Sequence, residues 1–264
     1  MKKYFLLVLL SGAITGLTSC EKDENNFGGI FKGPVVNYHQ GKAFTWIQLS
    51  KQGTPEKLAI AIDDDVMANV PVEADNEGGG HHDHSNSVTL QLHPKAIATT
   101  PFRHVGLDWN PSGHEPDPIY TIPHFDFHYY MMDEAARLAI PPFEVNPDGF
   151  NNVPDQAYFP LNYFSPPGGV PQMGRHWIDV TSPELNGAPF TQTFIMGSYN
   201  GKVTFYEPMI TRQFILDNAS FERAIPQPAK FQESGYYPTR MKILKHDKLT
   251  EFILEGFEYK QKSN

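Results

Sequence analysis

Cysteine is almost missing from this chain: among 264 residues only Cys20 carries a thiol. A disulfide framework and a cysteine-ligated metal site are therefore excluded. Positive charge is scarce too, with 21 Lys and Arg against 30 Asp and Glu. No basic cluster offsets that acidic balance, which argues against nucleic acid as a partner and against electrostatic docking on a membrane. Familiar catalytic signatures are lacking as well: there is no Gly-x-Ser-x-Gly elbow, no Gly-x-x-x-x-Gly-Lys phosphate loop and no His-Glu-x-x-His helix. Serine and cysteine hydrolases and nucleotide enzymes are thus disfavoured. Long helix-forming stretches are absent for a simpler reason, since 23 prolines and 21 glycines punctuate the chain.

What is present begins with an address. Lys2 and Lys3 precede the apolar run Tyr4 to Leu10 and the stretch Leu17-Thr18-Ser19-Cys20. This resembles a bacterial lipoprotein signal, in which residues 1–19 are removed and Cys20 is acylated. The run is too short to span a bilayer, so the acyl chains would anchor the protein instead. Loss of Lys2 and Lys3 changes the formal net charge from −9 to −11. Residues 20–35, which open Glu21-Lys22-Asp23-Glu24, read as a flexible acidic tether. They are similar to signals that carry some lipoproteins of the Bacteroidetes type to the outer face of the outer membrane. A cell-envelope, outer-membrane location is expected.

Residues 36–264 read as one β-rich domain, because apolar β-prone segments alternate with turns and no linker divides them. Strands are expected at Phe44 to Leu49, Leu58 to Ile62, Ser87 to Leu92, Phe102 to Trp109 and Ile119 to Met132. Asn200-Gly201 between Thr191 to Tyr199 and Lys202 to Met209 predicts a type I′ hairpin. In that register Tyr199 faces Lys202, Phe194 faces Glu207, and Glu207 shares a side with Phe205, Val203 and Met196. A closing hairpin is expected from Tyr236 to Leu244 and Leu249 to Tyr259, and short helices at Asp133 to Ala139 and Ile210 to Asn218. The fold class is all-β with minor α, an antiparallel sandwich or barrel. Glycine-rich residues 77–87 read as an exposed insertion.

Pro123-His124-Phe125-Asp126-Phe127-His128 carries the most chemistry. Strict alternation places His124, Asp126 and His128 on one face, opposite Phe125, Phe127 and Tyr129. Imidazole and carboxylate are the usual ligands of zinc, iron or manganese, so a divalent transition metal is expected, zinc favoured. An ordinary solvent face is the alternative. Strand geometry limits sharing: residues i and i+4 lie about 13 Å apart, so His124 and His128 meet at one ion only if the strand bulges. Further ligands must come from elsewhere, and His114, His176 and Glu207 are the candidates. Glu207 is a carboxylate on an apolar face, which needs a cation or strong donors, Arg175 and Arg212 among them. His81, His82, Asp83 and His84 form a second, weaker candidate cluster in the insertion.

The blocks His104 to Pro111, Gly113 to Pro116, Pro123 to His128, Met173 to Trp177 and Tyr206 to Ile210 resemble the signatures of an uncharacterised family of bacterial secreted proteins. Its prototype is a thermophile protein controlled by an envelope-stress sigma factor. The resemblance implies a β-rich domain over about residues 40 to 260, a ring-like homo-oligomer and no defined activity. Three functions stay open at this point. One is a membrane-anchored metal-binding lipoprotein with one ion held by His124, His128, His176 and Glu207, assisted by Asp126 and His114. Another is a cupin-like metalloenzyme with an open coordination position beside Tyr130, Trp177 and Tyr206. The last is a structural or adhesive surface domain without metal.

Overall fold

Residues 28–72 and 86–264 are described by a computed structural model. Two seven-stranded antiparallel sheets make up most of it. The first holds β1 (Gly29–Lys32), β2 (Val36–Tyr38), β3 (Gly41–Leu49), β4 (Pro55–Asp63), β12 (Ser220–Ala224), β14 (Arg240–His246) and β15 (Leu249–Glu255). Its order is β1-β3-β4-β15-β14-β12, with β2 added to β3. The second holds β5 (Ser87–Gln91), β6 (His104–Asn110), β7 (His124–Tyr130), β8 (Tyr163–Phe164), β9 (Arg175–Asp179), β10 (Gln192–Tyr199) and β11 (Lys202–Thr211). Its order is β5-β6-β7-β11-β10-β9-β8. A small ribbon pairs β13 (Gly235–Tyr237) with β16 (Glu258–Lys260). The α-helices among the described residues are five or six residues long, so the fold is the expected all-β sandwich with minor α.

Period-two alternation explains how the sheets meet. Ile47, Leu58, Ile60, Ile62, Ile243, Phe252 and Leu254 of the first sheet pack against Val105, Leu107, Phe125, Phe127, Tyr129 and Tyr206 of the second. The Phe127 and Phe252 rings touch at 4.1 Å between centroids, and the Tyr129 hydroxyl donates to the Phe252 carbonyl at 3.2 Å. Burying each such ring stabilises the fold by roughly 1.5 to 3 kcal/mol, which fixes the side of β7 that faces inward. His124, Asp126 and His128 must then occupy the outer face of the second sheet.

Three expectations need correction. Gly29–Lys32 is not tether but an edge strand paired with Trp46 to Leu49, so the domain begins before residue 36. The strand expected over Ile119 to Met132 is only His124–Tyr130, because Pro116, Pro118 and Pro123 remove ladder donors and turn the preceding segment into a loop. The Asn200-Gly201 hairpin forms with Tyr199 opposite Lys202, but a bulge between Gly197 and Ser198 shifts the pairing. Glu207 consequently faces Ile195 rather than Phe194, while Met196 joins the sandwich core and Val203 packs against it. The closing hairpin and both short helices appear with trimmed ends, the residues around it splitting off as the β13–β16 ribbon. Residues 1–27 and 73–85, which include the signal, Cys20 and the His81 to His84 cluster, lie outside the described residues.

Candidate metal centre

The outer face of the second sheet is buried where a solvent face was the alternative. His124, Asp126, His128 and Glu207 are 0%, 4%, 1% and 1% exposed. That overturns the solvent-face reading of the β7 triad. Register explains who meets whom: β11 runs antiparallel to β7, with Tyr206 opposite Tyr129 and Met209 opposite Asp126, which sets Glu207 beside His128. On the other flank Gly106 of β6 lies opposite His128 and Asp108 opposite Asp126. His176 arrives from β9, opposite Gly197 of β10. A Cβ on Gly197 would stand 2.0 Å from the Phe205 ring, so only glycine lets that ring lie down beside His128 and His176.

His114 comes from the loop between β6 and β7. Its backbone N–H donates to the Tyr120 carbonyl at 3.1 Å, and Gly113 has φ +69°, with a Cβ there falling 2.0 Å from the same carbonyl oxygen. Glycine is required at that turn. The loop lays His114 edge-on to His124, with ring centroids 4.8 Å apart.

The six side chains gather as two groups rather than one. His128, His176 and Glu207 bring one ligand atom each within 4.8 Å of the others, and so do His114, His124 and Asp126. In the first group the Nε2 of His128 is 3.3 Å from Glu207 Oε1, and the Nε2 of His176 is 3.7 Å from Glu207 Oε2. In the second, the Nε2 of His124 is 3.2 Å from Asp126 Oδ1, and the Nε2 of His114 is 3.2 Å from Asp126 Oδ2. The expected single set built on His124 and His128 is not what forms. β7 pairs with β6 in unbroken register, without the bulge that would draw those two imidazoles together.

Each of three imidazoles spends its Nδ1–H on an acceptor. His124 donates to the Ile122 carbonyl at 2.6 Å, His114 to the Glu115 carbonyl at 2.7 Å, and His128 to the Asp108 carboxylate at 3.1 Å. A neutral ring so held presents its Nε2 lone pair inward, the tautomer that metal ligation requires. Facing the Nε2 atoms of His124 and His128 are carboxylates, which also only accept, whereas His114 Nε2 shares a hydrogen bond with Asp126 Oδ2 at 3.2 Å. The Nε2 atoms of His124 and His128 and the Asp126 Oδ1 and Glu207 Oε2 atoms are buried without a hydrogen-bond partner. Acceptor against acceptor in a dry site calls for a cation.

Without a metal ion a proton serves as that cation, and the titration behaviour shows where it is held. Burial pushes the Glu207 carboxyl up, and the neighbouring His128 only partly opposes it. Burial would lower His128, yet the Glu207 and Asp108 carboxylates hold it well above its ordinary value. Asp126 is held well below the usual carboxylate range because His124 and His114 outweigh its burial, and His114 is pushed up to about 9 because Asp126 outweighs the burial of the imidazole. Arg175 donates to Ser165 and Asn151, and Arg212 donates to the Met67 carbonyl, so histidines are the cationic neighbours of Glu207.

Two contributors escaped the sequence reading. Asp108 orients His128, and Asn110 donates to Asp126 Oδ2 at 2.8 Å. Their signal was available in the alternation His104, Gly106, Asp108, Asn110, which shares the face of the β7 triad. Of the residues expected to line a substrate cavity, Tyr130 stacks on His128 at 5.5 Å, but Trp177 and Tyr206 belong to the sandwich core. A surface cleft of about 270 Å³ lies beside Lys42, Asp63 and Asp65, away from the histidines.

No family model, curated protein or solved structure matches this chain. The polar side chains of the two groups and their outer partners, Asp108, Asn110, His114, the β7 triad, His176 and Glu207, come from β6, β7, β9, β11 and the loop between β6 and β7.

Proposed function

We propose that this chain is a lipoprotein of the cell envelope that holds a divalent transition-metal ion, zinc favoured, between His128, His176 and Glu207. One observation carries the reading: His128 Nε2 and the Glu207 carboxylate confront each other at 3.3 Å inside the protein, with Nδ1 already committed to Asp108. Two donor atoms 3.3 Å apart, each about 2.1 Å from an ion, subtend about 104° there, close to the tetrahedral angle. Two imidazoles and one carboxylate form a three-ligand set that leaves a coordination position for water.

Anchoring rests on Lys2, Lys3, the apolar run and Cys20. Acylation of Cys20 would place the metal domain outside the inner membrane, at the end of a tether shortened by β1. Among the described residues no helix is long and apolar enough to cross a membrane. Cobalt substitution tests the metal: the reading expects a visible d–d spectrum that zinc abolishes and that loses the contribution of this site in His128→Ala. A featureless cobalt titration of the folded chain contradicts it. Cys20→Ser should move the protein from the membrane fraction to the soluble one.

A further inference from the structure

We propose that His114, His124 and Asp126 hold a second divalent transition-metal ion, separate from the one between His128, His176 and Glu207. This rests on the reading of that first ion, to which it adds a site of the same chemical class.

The second group has the features of a built site. His124 and Asp126 are 0% and 4% exposed, and the His124 Nε2 and Asp126 Oδ1 atoms face each other at 3.2 Å without completing a hydrogen bond. That separation corresponds to about 100° at an ion about 2.1 Å from both, which lies between octahedral and tetrahedral values. Outer partners hold the ligands in place. The Ile122 carbonyl takes the Nδ1–H of His124, the Glu115 carbonyl takes that of His114, and Asn110 binds Asp126 Oδ2. Such partners around metal ligands fix tautomer and direction. Phe190 packs edge-on against His124, and Tyr120 lies beside His114, so the group is walled on its apolar side.

One ion cannot serve both groups. His124 and His128 sit four residues apart on an extended, unbulged strand, which separates their Cα atoms by about 13 Å. An imidazole reaches only about 6 to 7 Å from Cα to a bound ion, so both rings would have to point straight at each other along the strand. Instead His128 turns to Glu207 on β11 while His124 turns to Asp126 and the loop. Each group has one ligand that is part-exposed, His114 at 33% and His176 at 23% of the side chain. Each ion therefore has its own route to solvent and its own exchangeable position.

The test is a zinc titration against a chromophoric chelator. It uses the full chain in detergent, without a histidine tag, and with His81, His82 and His84 changed to Asn so that the insertion contributes nothing. Two equivalents are expected per chain. His114→Ala, in a part-exposed loop position, should remove one and leave the other, and Glu207→Gln should do the converse. Crystals of the parent protein should show two anomalous peaks at the zinc edge, one against each group, a readout that needs no variant. A single equivalent that Glu207→Gln removes, a single peak against His128, His176 and Glu207, or a second equivalent that survives His114→Ala overturns the second ion and leaves the first in place. Failure to bind any zinc overturns both.

Discussion

Replacing Asp108 by asparagine probes how the sheet prepares a ligand. Asp108 Oδ2 accepts the Nδ1–H of His128 at 3.1 Å, which leaves the Nε2 lone pair directed at Glu207. Asparagine is nearly isosteric, and Gly106 beside it leaves the pair uncrowded, its hypothetical Cβ standing 3.5 Å from both Asp108 Oδ2 and the His128 Cβ. The fold should therefore survive. The amide offers either a weaker neutral acceptor or an N–H, and the N–H would drive the His128 proton to Nε2 and block the metal. Loss of such an outer partner costs about 10- to 100-fold in metal affinity, or about 1.4 to 2.7 kcal/mol. Chelator competition at neutral pH measures the zinc dissociation constant, and circular dichroism checks folding. Affinities of Asp108→Asn and Asp108→Ala within about twofold of the parent would refute the role given to Asp108, since even the mildest outer-partner loss exceeds that.

Other outcomes follow from the same geometry. At free zinc about 100-fold above its dissociation constant, binding adds about 2.7 kcal/mol, which for a domain of this size raises the melting temperature by about 5 to 10 °C; a melt unchanged by chelator contradicts this. Burial pulls the His104 imidazole down to about 4 from an ordinary 6.5. Between those values the unfolded chain binds the proton and the folded one does not, so stability falls as pH drops through that window, by about 3 kcal/mol in all. Urea unfolding of chelated protein at pH 7 and near pH 4 should show that loss, and His104→Phe, which keeps the stack on Tyr130, should flatten it by a similar amount; an equal acid loss in both proteins refutes the assignment. Gly197→Ala forces a Cβ into the Phe205 ring and should cost about 1 to 3 kcal/mol while weakening zinc binding through His176 and His128. Unchanged affinity and stability would show that the ring has another resting place.

Much of this was legible along the chain, and the exceptions have physical causes. Alternation over His124 to His128 placed three potential ligands on one face, because a strand anchored by Phe125 and Phe127 has no freedom to choose otherwise. Glu207 was legible as a misplaced acid, since a carboxylate among apolar neighbours needs a partner. The partnership was not: the bulge at Gly197 and Ser198 shifts the hairpin register by one residue, and a bulge is settled by packing across the sheet rather than by turn residues. Division into two groups depends on which strand lies beside β7. The neighbour is β11, more than seventy residues away in the chain, and no local pattern announces it. Asp108 and Asn110 were readable in principle, but their roles emerge only when β6 lines up against β7. β1 escaped notice because four residues at a sheet edge leave almost no periodic signal.

The central claim, an ion between His128, His176 and Glu207, is tested most directly by elemental analysis of untagged protein reconstituted with zinc and desalted. The account predicts at least about one tightly held equivalent per chain, with the share at this site lost in the double variant His128→Ala, Glu207→Gln. Less than about a tenth of an equivalent of any transition metal in the folded, reconstituted protein would contradict it.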